Sequence, residues 1–145
     1  MTEAVKTPWH LWLVGSLAVL VNAFPAVDFT LTHMENEFWL SPLTDDQRAF
    51  ILGAPLWADL CWAIGGFGAF VGSVLLLFRS RHAVTAYIVS VVGLAGSTLY
   101  QHVLNGETTR ALFQNVAISV TAAIWVIMLA LLFYARAMKA KGVLR

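Results

Sequence analysis

One segment constrains the fold most: residues 9–27 contain no acidic or basic side chain apart from His10. Its length is close to the ~20 residues with which an α-helix crosses the ~30 Å hydrocarbon core of a bilayer. Three further apolar segments follow at about 55–78, 83–101 and 112–135. Charged residues make up 12% of the chain, whereas roughly 25% is usual in soluble domains. The sequence therefore predicts a single membrane domain, 1–145, folded as an all-α four-helix membrane bundle.

The first apolar segment has the position of a cleaved signal peptide. Its apolar run is longer than the ~7–15 residues typical of such peptides. Lys6 is also the only basic residue ahead of it. We therefore expect this helix to be retained in the mature protein.

The connections between the predicted spans differ in length and polarity. Residues 28–52 form a long polar connection, 79–82 a short basic turn, and 102–110 a short polar loop. Within the first connection, Thr44 and Gln47 have the spacing of a capping box, which marks the start of a helix. We expect a short helix at the membrane interface before the second span.

Basic and acidic residues are distributed unevenly among these connections. With four spans, both termini and the 79–82 turn share one side. Seven of the nine Lys and Arg residues fall there, the other two being Arg48 and Arg110. Seven of the eight acidic residues fall on the opposite side, the exception being Glu3. Because basic residues stay in the cytoplasm, we expect a multi-pass protein of the bacterial inner (plasma) membrane with both termini cytoplasmic.

The second span has a glycine-rich middle. Gly68 and Gly72 form a GxxxG pair, and Gly65, Ala69 and Ser73 repeat the small-residue spacing on a neighbouring face. Small residues allow helices to approach closely in lipid. We expect this face to pack inside the bundle in preference to forming a homodimer.

Polar side chains are concentrated near the acidic ends of the predicted spans. At ~1.5 Å of rise per residue they lie at similar depths, in the outer third of the bilayer. Ionisable residues inside a membrane are costly and often functional, so these side chains are candidates for a ligand-binding pocket. The structural alternative is that they only satisfy helix ends and interfacial water. The candidate ligand-binding residues are Asn22, Asp28, Asp59, Tyr100, Gln101 and Asn115.

Metal binding and catalysis have weaker support. The potential metal ligands are His33, Glu35, Glu37, Asp59 and His102. No spacing fixes two of them on one helix face. No catalytic triad or phosphate-binding loop is recognisable. We therefore expect no enzyme activity, no metal and no cofactor. His102 and Arg110 are the candidate cationic partners of a buried Asp59, and the alternative is an Asp59 that faces headgroup water.

Five segments carry a resemblance to a known group of proteins: TPWHLW at 7–12, NAF at 22–24, RSRHAV at 79–84, STLYQ at 97–101 and YARAMKAKGVLR at 134–145. They resemble uncharacterised small inner-membrane proteins, found mainly in alphaproteobacteria, with four predicted spans. Many members carry the automatic label "sugar transporter", and the group brings no established site residues. Its members usually have an NAFG-like sequence and an apolar second helix. Pro25 and Asp59 depart from this pattern, so the resemblance implies no shared role for Asp59.

Two functions are compatible with these features. One is a small-solute binder or transporter, sugar-like as the label implies, which acts as an oligomer because four spans are few for a complete carrier. The other is a non-catalytic accessory or structural subunit of a larger membrane complex. The expected partners are the lipid bilayer and either a further copy of the chain or a membrane-complex partner. A net charge of +1 without a basic stripe predicts no nucleic-acid binding.

Overall fold

The computed structural model describes residues 5–145, and within this range the chain is helical and has no β-strand. Four helices are long and apolar enough to cross a membrane. The predicted all-α four-helix bundle is therefore confirmed. In chain order the elements are α1 (Trp9–His33), α2 (Glu37–Leu40), α3 (Asp45–Leu52), α4 (Leu56–Leu77), α5 (His82–Thr98), a π-helical segment (Leu99–Leu104) and α6 (Gly106–Ala140).

The short helix α3 forms where its capping box predicts it. The Thr44 hydroxyl accepts a hydrogen bond from the Gln47 backbone N–H at 3.3 Å, and Gln47 Oε1 accepts one from the Thr44 N–H at 3.0 Å. Gln47 Nε2 also donates to the Leu112 carbonyl at 2.8 Å. This last bond attaches α3 to the beginning of α6.

The long helices pack mainly in chain order, α1 against α4, α4 against α5 and α5 against α6. The α4–α5 contact is close because small residues make it. A Cβ atom added to Gly68 would lie 3.0 Å from Ser90 Cβ, and one added to Gly72 would lie 2.8 Å from the Tyr87 ring. The predicted close crossing at Gly68 and Gly72 is confirmed, and this face is packed inside the monomer.

Two predicted connections are largely helical. Helix α1 continues to His33, past the predicted end of the span at residue 27, so the polar connection begins later than expected. The predicted loop at 102–110 is wrong, since only Asn105 separates the π segment from α6. Both errors have one cause: polar residues end an apolar span without ending the helix.

Helix α6 is broken at Gln114, whose backbone has φ 55° and ψ −144°. Such a positive φ is uncommon for a residue other than glycine. The break separates the polar turns that follow Asn105 from the long apolar part of the helix. The predicted fourth span, 112–135, corresponds to that apolar part, which continues to Ala140.

The packed core extends to the end of the bundle that carries most basic residues. Leu11, Tyr87 and Ala135 are fully buried and belong to one cluster formed by α1, α4, α5 and α6. His10 Nδ1 lies 2.6 Å from the Tyr134 hydroxyl, which connects α1 to α6 near this end. The bundle is closed here, whereas its other half surrounds a cavity.

Candidate functional site

A cavity of about 750 Å³ occupies the half of the bundle that carries most acidic residues. All four long helices and α3 contribute to its wall. Its lining runs from Ala58 to Ala69 on α4, which corresponds to about 16 Å along the helix axis. Packing voids in protein interiors are seldom larger than a water molecule, whereas small-molecule sites enclose ~300–1,000 Å³. The volume of this half-open space lies within the range of small-molecule sites.

Five of the six predicted ligand-binding residues line this cavity: Asn22, Asp28, Asp59, Tyr100 and Gln101. The sixth, Asn115, lies outside it. Asn115 is exposed, and its carbonyl accepts a hydrogen bond from the Ser119 hydroxyl at 3.0 Å. Rise along a helix predicts depth but not direction, and the break at Gln114 resets the direction in which later residues point. That these residues bind a ligand stays a prediction.

The two charged residues of the cavity, Asp28 and Asp59, lie at its outer end. Asp28 Oδ1 accepts a hydrogen bond from Trp39 Nε1 at 2.9 Å, which ties α2 to α1. Asp59 Oδ1 lies 3.4 Å from His33 Nε2, and the two side chains are 21% and 31% exposed. Both carboxylates are thus held in place while remaining accessible.

The partner of Asp59 is neither of the two candidates, His102 and Arg110. His102 Nε2 lies 2.8 Å from the Thr121 hydroxyl, and Arg110 is exposed. His33 takes this place because α1 continues beyond its apolar run and carries the histidine over the first turns of α4.

Hydrogen-bonded polar side chains close the inner end of the cavity. Asn22 is 4% exposed, and its Nδ2 donates to the Ser73 hydroxyl at 2.9 Å. Ser73 donates to the Ala69 carbonyl at 2.8 Å, so the Tyr87 hydroxyl, 3.0 Å away, donates to Ser73. Buried polar groups are costly without such partners, so Asn22 stabilises the fold as well as lining the cavity.

Apolar and aromatic side chains form most of the wall between the two ends. The Tyr100 ring stacks on Phe50 with centroids 6.0 Å apart, and Phe50 lies 6.2 Å from Phe113. Trp39 and Trp62 complete the aromatic part of the lining. The sequence does not single out Phe50 and Phe113, because they meet only where Gln47 joins α3 to α6. Neither heptad nor strand periodicity in the sequence predicts such a contact.

The described residues contain no group of three or more His, Cys, Asp and Glu side chains arranged to hold a metal ion. Of the potential ligands, His33 and Asp59 are adjacent, whereas His102 is engaged with Thr121. Comparison with known protein families, with characterised proteins and with solved structures finds no match.

Proposed function

We propose that this protein binds a small amphipathic solute in the cavity and acts as a solute binder or carrier of the bacterial inner membrane. The observation that carries the proposal is the ~750 Å³ space itself, whose lining is largely apolar, with two aspartates at its outer end and the buried Asn22 at its inner end. A molecule with a polar group and an apolar body complements this lining. A sugar-like solute fits less well, because hydroxyl groups facing the apolar wall would lose their hydrogen bonds to water without replacement.

The proposed orientation has both termini in the cytoplasm. The alternating directions of the four long helices bring Lys6, the 79–82 turn and the C-terminal residues to one end, and positive residues favour the cytoplasmic side. The outer end of the cavity, with Asp28 and Asp59, then faces the periplasm. A carrier would act as an oligomer through surfaces other than the glycine face of α4, which is already packed against α5.

A cavity-filling substitution tests the proposal. Ala117 lines the cavity, whereas Ala123 is exposed on the same helix and does not line it. The unfolding temperatures of the wild type, Ala117→Phe and Ala123→Phe would be measured in detergent with cationic, anionic, neutral and sugar solutes. A solute at about 100 times its Kd stabilises the folded state by about 2.7 kcal/mol through mass action. Phe at position 117 occupies the space that the solute needs.

We expect at least one class of solute to raise the unfolding temperature of the wild type and of Ala123→Phe but not that of Ala117→Phe. Equal increases in all three proteins would place binding outside the cavity and refute the proposal. A wild type that responds to no class would favour the other function considered above, an accessory subunit of a membrane complex.

A further inference from the structure

We infer that the cavity selects a hydrophobic organic cation and that Asp28 and Asp59 supply the opposing negative charge. This inference rests on the proposed function and adds the charge of the solute to it. Two features of the lining support it: the sign of its charge and its aromatic rings.

The lining is negatively charged. Asp28 and Asp59 are its two ionisable carboxylates, and no Lys, Arg or His belongs to it within residues 5–145. Asp28 is engaged through Oδ1 with Trp39, and Asp59 through Oδ1 with His33. Neither carboxylate has a second hydrogen bond or ion pair in the described part of the chain, so one oxygen of each is available to a ligand.

The carboxylates of Asp28 and Asp59 are only partly exposed to water. A carboxylate removed from water loses solvation, and a cation nearby restores part of the lost free energy. An anionic solute would meet repulsion instead, since like charges close together in a low-dielectric site are unfavourable. The outer end of the cavity therefore discriminates by the sign of the charge.

The aromatic rings favour the same class of ligand. Trp39, Trp62 and Tyr100 line the cavity together with both aspartates. The face of an aromatic ring attracts a cation within ~6 Å of its centre, most strongly for tryptophan. Rings also provide the apolar surface that a bulky organic cation buries, which an inorganic ion does not.

Two ions of nearly identical shape and opposite charge test this inference. Tetraphenylphosphonium and tetraphenylborate would be titrated against the purified protein in detergent by equilibrium dialysis, with protein-free micelles subtracted. The variants are Asp28→Asn and Asp59→Asn, which keep side-chain shape and remove the charge. The matched control is Asp46→Asn, an exposed residue of α3 outside the cavity that changes the net charge equally.

We expect saturable binding of tetraphenylphosphonium that is about tenfold or more tighter than that of tetraphenylborate. Each cavity variant should weaken phosphonium binding by about tenfold, whereas Asp46→Asn should leave it unchanged. Should one variant fail to fold, the other carries the test. The inference would be overturned if tetraphenylborate bound as tightly as tetraphenylphosphonium. It would also be overturned if neither cavity variant changed the binding of tetraphenylphosphonium.

Failure of the inference and failure of the proposed function give different results. If another kind of amphipathic solute occupies the cavity, that solute binds saturably and Ala117→Phe abolishes its binding. In that case the protein binds tetraphenylphosphonium no more tightly than tetraphenylborate. If the cavity binds no solute, Ala117→Phe changes the binding of no probe, charged or neutral.

Discussion

Replacing Gly93 with alanine should destabilise the bundle, because the added methyl group has no space at the α4–α5 crossing. A Cβ atom on Gly93 would lie 2.5 Å from the Gly65 nitrogen and 2.7 Å from the Cys61 carbonyl oxygen. Both neighbours are backbone atoms of α4, so no side chain can rotate away. Ordinary contacts at these positions need about 3.4 Å or more, which requires the helices to separate by roughly 1 Å.

Overpacking of this kind typically costs about 1–3 kcal/mol. In a chain of this length each kcal/mol lowers the unfolding temperature by roughly 2–4 °C. The matched control is Gly106→Ala, because a Cβ atom there would meet no atom within 4 Å. Alanine also has the higher helix propensity in a helix interior, worth up to about 1 kcal/mol, so a loss of stability at Gly93 is measured against this gain.

The assay is thermal unfolding in detergent, followed by far-ultraviolet circular dichroism. We expect Gly93→Ala to unfold several degrees below the wild type and Gly106→Ala to unfold at or above the wild-type temperature. Equal unfolding temperatures for the two variants would mean that α4 and α5 are not in close contact at Gly93. The reasoning about this helix pair would then be refuted.

Three further outcomes are expected. Gly96→Ala should also destabilise the protein, because the added methyl group overlaps the Cys61 side chain. Adding Cys61→Ala to the same chain should reduce this loss, and a double variant whose loss is the sum of the two single losses would contradict this. Asn22→Ala should cost about 1–3 kcal/mol, since it leaves buried hydrogen-bonding groups unpaired, whereas Asn115→Ala should leave thermal unfolding unchanged; similar losses would show that the fold does not depend on the buried amide. Reporter fusions at the C-terminus and within residues 45–47 should report opposite sides of the membrane, with the C-terminus cytoplasmic; a periplasmic C-terminus would reverse the proposed orientation.

The number and order of the membrane helices could be predicted from the sequence because hydropathy reports directly on lipid exposure. Helix ends were harder, since the polar residues of α1 around His33 keep a helical backbone outside the apolar run. Hydropathy gives the length of the apolar surface. The backbone hydrogen bonds of a helix do not depend on side-chain polarity, so the helix can continue beyond that surface. The same reasoning explains the continuous helical path around Asn105.

The depth of the candidate site residues could be predicted from the sequence, but the direction of their side chains could not. Asn22, Asp59 and Gln101 share one cavity because antiparallel helices of known rise bring them to one level. Asn115 is excluded by a backbone break at Gln114 that the sequence does not signal. The pairing of Asp59 with His33 depends on how far α1 extends, so it could not be found before that helix end was known.

The location of a bound organic cation tests most directly whether the cavity is the site of a cationic solute. Tetraphenylarsonium has nearly the shape and the charge of the phosphonium probe, and its arsenic atom can be located by anomalous scattering in a crystal of the complex. We expect an arsenic position inside the cavity, between α1, α4, α5 and α6 and nearer to Asp59 than to Asn22. Arsenic positions confined to the outer apolar surface of the helices would contradict it.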